Sequence, residues 1–333
     1  MRHQVDTWRR LDFHARAANT LTSARSEQIA KAAGIADATK SVRCTTCHAP
    51  FHEVPAAAFA KTIPPGVGVS CENCHGPAER WLLSHTRKDL SHADKVAGGL
   101  RDLRDLHTRA SSCVACHQNV ETPLINAGHP ELIFELDGQS VTQPRHWIER
   151  GNYNGGRAWL VGQAVALREI SSQLAKEPAN AALAARWSAL VWLLQKAAGA
   201  DESLPTLRAV SAEISTSNAA KAQEAADDLA RKAGASDWTA KTSADAIRLL
   251  AAAATDFRDK GQSPLIHARR AERLVLALDR LATALGRKDL DVEINALFSM
   301  AQSVPDFDHK RAGEFGATLE QLAKKAGDRA PSR

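Results

Sequence analysis

From residue 157 onward, apolar and polar positions alternate with a helical period. Leu160, Ala164, Leu167 and Leu174 form one stripe. Leu274, Leu278, Leu281 and Leu285 form another, at four-three-four spacing. Ser263-Pro264 reads as an N-cap with Pro at the first helical position, and Gly286 reads as a stop. The pattern predicts six or seven helices in an antiparallel bundle over 157–330, with no strands of consequence. The first half has only short apolar runs. In WRRLDFHARAANTL, Trp8, Leu11, His14 and Ala18 share one helical face. In HGPAERWLLSH, Pro77 suits a helix start, with Trp81, Leu82 and His85 following at helical spacing. GNYNGGRAW (151–159) is turn-rich and separates the halves, giving expected domains at 1–150 and 157–330. The expected class is all-α.

Composition changes this picture little. The chain has 333 residues, 44% apolar and 24% charged, enough for two soluble domains. The net charge of +5 is spread among negative charges, with no dense Lys/Arg stripe. That suits protein partners with an acidic surface and argues against nucleic acid. No run approaches the ~18 apolar residues of a membrane span. The first residues, MRHQVDTWRR, lack the apolar segment of a secretory signal.

The cysteines change the picture completely. All six lie in three pentads, CTTCH (44–48), CENCH (71–75) and CVACH (113–117). In c-type attachment two thiols bind the haem vinyl groups and the adjacent imidazole reaches the iron. Cys44, Cys47, Cys71, Cys74, Cys113 and Cys116 are then the attachment residues, and His48, His75 and His117 the proximal ligands. The first four cysteines also have the form of a double-knuckle zinc site. That alternative leaves Cys113 and Cys116 unused and needs none of the histidines. With 13 histidines in the chain, composition alone puts His after all three pairs on the order of once in ten thousand. Three covalent haem c groups are therefore expected, in a protein located in the periplasm or otherwise outside the cytoplasmic membrane. The missing signal segment then suggests an incomplete or processed sequence.

Each iron has a second axial position. The only methionines are Met1 and Met300 and the only tyrosine is Tyr153, so distal ligands are expected to be histidines and potentials low. The candidates are His14, His85, His129 and His146. His52 reads as a surface or supporting residue, and His92 and His107 as mostly exposed. In the second half His267 shares a face with Ala271 and Leu274 and reads as a helix-end histidine, while His309 reads as surface.

Taken together, the W-x5-H-A-x-A stretch (Trp8 to Ala17), GVSCENCHGPA (68–78) and CVACH followed by AGHP resemble the cytochrome c-554 type of multihaem cytochrome c. The similarity covers roughly residues 5 to 150. The family pattern has four haems, and its first pentad is absent here. The resemblance implies that His14 is a distal ligand and that His85 matches the residue capping the haem of that absent pentad. It also implies that the His48 haem can be five-coordinate, and that a remaining distal ligand comes from His129 or His146.

The reading that follows is a multihaem cytochrome domain with little regular structure beyond helices, followed by a helical bundle. Its expected role is to carry single electrons between redox partner proteins, with no catalytic residue assigned. The alternative is a multihaem oxidoreductase reducing a small nitrogen compound at an open His48 haem. The helical half reads as a scaffold adding core, or as a docking platform.

Overall fold

The computed structural model describes residues 2–59, 66–147, 149, 153–177, 180–211, 215–302 and 306–327. The protein is 69% helical, with fifteen α-helices and no strands among the described residues. It divides into two compact units, Met1–Phe134 with Gln139–Arg150, and Glu135–Gly138 with Gly151–Arg333.

The first unit holds α1 (Arg2–Leu11), a 3-10 helix (Phe13–Thr22), α2 (Ala24–Ala32), α3 (Val42–His48) and α4 (Cys71–His75), followed by α5 (His92–Ala97), α6 (Leu106–His117) and α7 (Thr122–Asn126). Helix α8 (Leu136–Thr142) begins in the second unit and ends in the first. The larger buried apolar side chains of the first unit are Leu21, Trp81, Leu106, Val114, Leu124 and Phe134. The elements are short, and loops carry much of the chain.

Two expected helices take another form. WRRLDFHARAANTL is not one helix, because Asp12 breaks it. Asp12 is extended (φ −85°, ψ 124°) and its side chain accepts from the backbone N–H of His14. The chain then winds as a ten-residue 3-10 helix, so His14, Ala17 and Thr20 line one face at three residues per turn. PAERWLLSH is a series of turns with mixed bonds, Trp81 N–H to Ala78 C=O and His85 N–H to Trp81 C=O among them. The segment has no long apolar face to bury, so tertiary packing supplies too little to sustain a regular helix.

The second unit contains α9 (Gly155–Lys176), α10 (Ala181–Ala197), α11 (Thr216–Ala235), α12 (Ala240–Ala251), α13 (Pro264–Leu285), α14 (Asp291–Ala301) and α15 (His309–Gly327). Helix α9 packs on α10 and α11, α13 on α10, α12 and α14, and α15 on α12 and α14. The periodic residues Leu160, Ala164, Leu167, Leu174, Leu274, Leu278 and Leu281 are buried, with Trp159, Trp187 and Phe315 among them. Helix α13 starts as its sequence reads: Ser263 accepts from the Ile266 N–H, Pro264 follows, and Gly286 ends the helix in the left-handed region (φ 66°). His267 is buried on α13, bonded through Nε2 to the Asp259 carbonyl (2.8 Å) and packed on Phe257. It is a core histidine. His309 is exposed.

Candidate haem site

Each pentad closes a helix. CTTCH ends α3, CENCH is α4 itself, and CVACH ends α6. Positions i, i+3 and i+4 share a helical face, so each short helix presents two thiols and an imidazole together. The end of α4 is held by Arg101, whose Nη1 donates to the carbonyls of Asn73 (2.7 Å) and Cys74 (3.0 Å) and whose backbone N–H donates to His75 (2.8 Å). Gly76 leaves the helix at φ +83°, a conformation that favours glycine.

Helix α6 packs against both α3 and α4. The Cys47 thiol lies close enough to Cys116 to lower its own pKa and raise that of Cys116, and the neighbouring Cys74 raises the Cys113 and Cys116 thiols. Burial, then the neighbouring Cys74, pushes the Cys113 thiol up to about 12. All six cysteines are unpaired. Among the described residues no three of His, Cys, Asp and Glu converge as a metal cage.

The histidines pair across the fold. His14 faces His117 with ring centres 5.8 Å apart and Nε2 atoms 3.5 Å apart. His48 faces His129 at 6.4 Å, and His75 faces His146 at 6.3 Å. Two imidazoles bound trans to one iron, each nitrogen about 2 Å from the metal, have centres roughly 6.3 Å apart. The His48–His129 and His75–His146 pairs match that spacing, and the His14–His117 pair is about half an ångström closer, so the donors present suit bis-histidine haem. Around Cys44, Leu21, Ala30 and Ala38 form a small apolar cluster, with Ile35 packed on it. A hollow of about 720 Å³ opens beside this cluster, lined by Leu21, Ala30, Ile35 and Ala38 together with Glu27, Lys31 and Asp37. Burial lowers the pKa of His48, His117 and His146. For His75 burial is again the largest cause, followed by His146, His85 and Arg101, and the value falls to about 4. The neutral imidazole is the form that binds a metal.

Local structure aims each second histidine. His14 follows the Asp12 break, and its Nδ1 lies 3.0 Å from the Asp12 carboxylate, which also accepts from Gln143 (3.1 Å). Burial opposes the Asp12 charge, but these hydrogen bonds outweigh it and hold Asp12 down at about 2. His129 follows a Schellman ending of α7: its N–H donates to Leu124 C=O (2.9 Å), and Gly128 N–H donates to Ile125 C=O (3.0 Å), with Gly128 at φ +102°. His146 lies in a loop tied to α6, where Arg109 forks onto Glu149 (2.8 and 3.3 Å) and Trp147 Nε1 donates to Glu149 (2.9 Å). His48 Nδ1 lies 2.8 Å from Thr20 Oγ1 and 3.3 Å from the Ala17 carbonyl, both on the 3-10 helix.

His85 faces none of the pentad histidines as a ring pair. Its ring lies edge-on to Trp81 (5.4 Å), and its Nδ1 donates to Leu82 C=O (2.6 Å). His52 is exposed beside Glu53 (3.1 Å). His92 is half-buried and 2.8 Å from Asp102, and His107 is likewise half-buried. Sequence reading missed Asp12, Thr20, Arg109 and Glu149. Of these, only Asp12 carries a local signal, as a capping residue set inside a periodic stretch.

The family model for cytochrome c554 and c-prime matches residues 2–76. Over those residues the chain is similar to that family. The match includes the 3-10 helix with His14 and the first two pentads, and it stops before the third. Cytochromes of this kind hold haem c covalently and serve in electron transfer. No curated protein and no solved structure matches the chain. No helix among the described residues is long and apolar enough to cross a membrane.

Proposed function

We propose that this chain is a periplasmic three-haem cytochrome passing single electrons between redox proteins. One observation carries the reading: every pentad histidine faces a second histidine, with ring centres 5.8 to 6.4 Å apart, close to the spacing of two imidazoles that would share one iron. Haem c supplies a one-electron ferric–ferrous couple at each iron. His117 with His14, His48 with His129, and His75 with His146 would each close both faces of one iron. The six pentad cysteines would hold the haems close together, with the pentad of α6 between those of α3 and α4. His117 would then serve the middle centre, with His48 and His75 at the two ends. The mixed but net positive charge suits docking of acidic partners.

The oxidoreductase alternative needs an open position at the His48 haem, and His129 stands opposite His48 instead. The test is spectroscopic, on protein matured with haem. The mass should exceed that of the polypeptide by three haems. The ferric spectrum should be wholly low-spin, and carbon monoxide should leave the reduced spectrum unchanged. His14→Ala, His129→Ala and His146→Ala should each convert one haem to a high-spin, carbon monoxide-binding form, whereas His85→Ala should convert none. A high-spin haem in the unsubstituted protein would overturn the carrier reading in favour of small-molecule chemistry.

A further inference from the structure

We infer that Asp12 is a positioning residue whose buried carboxylate orients His14 and makes the His14–His117 centre the lowest in potential of the three. The inference rests on the haem reading above and adds a residue that neither the pentads nor the family match identifies.

Asp12 is 2% exposed. One of its oxygens, Oδ1, accepts from the His14 backbone N–H (3.0 Å) and lies 3.0 Å from His14 Nδ1. The other, Oδ2, accepts from Gln143 Nε2 (3.1 Å). A carboxylate 3.0 Å from Nδ1 favours the proton on that nitrogen, which leaves the lone pair on Nε2, the atom facing His117 Nε2. The carboxylate therefore favours the tautomer in which Nε2 can bind a metal. An anionic acceptor on Nδ1–H also raises the basicity of the imidazole, which favours the ferric state.

The other imidazoles with a resolved Nδ1 contact meet neutral groups. His48 meets Thr20 Oγ1 and Ala17 C=O, His129 meets Pro130 C=O (2.9 Å), and His117 meets the Gln139 amide (3.4 Å). The His14–His117 centre is thus the one with a carboxylate 3.0 Å from a ring nitrogen of one of its histidines.

The experiment compares the haem-loaded full chain with Asp12→Asn and Asp12→Ser by spectroelectrochemistry. Serine keeps the capping acceptor for the His14 N–H but removes the charge. In both variants one midpoint should rise by about a tenfold change in the ferric-to-ferrous ratio, which is about 59 mV for one electron. The other two midpoints should move less. Loss of low-spin character at the His14 centre alone would equally support positioning. Three low-spin haems with unmoved midpoints would overturn the inference, as would a loss of melting temperature in Asp12→Asn that Asp12→Ser restores with no midpoint change. Gln143→Leu leaves Asp12 in place and removes the donor competing with His14, so the same midpoint should fall. If the Asp12 variants fail to take up haem, that shift decides, and an unmoved midpoint in Gln143→Leu overturns the inference. Absence of covalent haem from the unsubstituted protein would instead defeat the proposed function itself.

Discussion

Burial sets the protonation state of single residues in both units. Glu135 is buried, and its carboxylate accepts from the backbone N–H groups of Asp137 (2.8 Å) and Gly138 (2.5 Å). Desolvation is the largest influence and pushes its pKa from 4.5 to about 7, with Asp137 adding to the rise. A carboxyl whose folded pKa is raised keeps its proton in the folded state after the unfolded chain has lost it. Its contribution is therefore complete below the unfolded value and is lost as pH rises through the folded one. Between about pH 4.5 and 7, stability should fall by about 3 kcal/mol on this account. Glu135→Gln should flatten that slope in denaturant unfolding followed by far-UV circular dichroism. An unchanged slope would remove Glu135 as its source.

At the scale of elements, the 3-10 helix Phe13–Thr22 does the most for the site. Its pitch aligns His14 toward His117 while Ala17 and Thr20 hold the Nδ1 side of His48, so one short element reaches two of the pentad histidines. Runs of this length are uncommon for this helix type, and packing holds it here. The segment entering α4 lies directly on it: Val69 N–H donates to His14 C=O (2.9 Å), and Trp8 Nε1 donates to Val69 C=O (3.0 Å). A Cβ at Gly68 would fall 2.3 Å from the His14 carbonyl and 2.8 Å from the Ala17 nitrogen, both backbone atoms that cannot swing aside. Gly68→Ala should therefore cost about 1–3 kcal/mol. It should also give one haem a partial high-spin signal, because His14 moves with its backbone. Wild-type stability and a fully low-spin spectrum would show that the contact is slack.

At the scale of the molecule, the two units differ in what makes up their cores. The second is closed by its own side chains, among them Trp159, Trp187, Phe257 and Phe315 on four elements. The first buries few large apolar groups, and six of its histidines stand half-buried in three pairs. In the haem-bound protein the macrocycles would fill that space. Chain made without haem attachment should keep most of its helical signal and yield a protease-resistant C-terminal fragment, while the first unit is digested. Equal resistance of the first unit would show that it folds without haem.

The sequence by itself determined the chemistry and the helical class. CxxCH needs only local geometry, since two thiols and an imidazole share one turn wherever the pentad is placed. The stripes of α9 and α13, and the Ser263, Pro264 and Gly286 signals, were legible for the same reason: period and capping act within a few residues. Only the tertiary structure decided which histidine stands opposite which. The paired residues are 103, 81 and 71 positions apart (117−14, 129−48, 146−75). No local rule encodes such separations. His129 and His146 both take part, where the resemblance offered a choice between them, and His85, at good helical spacing, faces Trp81 instead. The Asp12 break also shows a local preference overridden. Trp8, Leu11, His14 and Ala18 fit one helix by period, yet a buried carboxylate capping His14 was more favourable once Gln143 and the His117 ring were folded against it. Position along the chain set the donors, and long-range packing set their pairing.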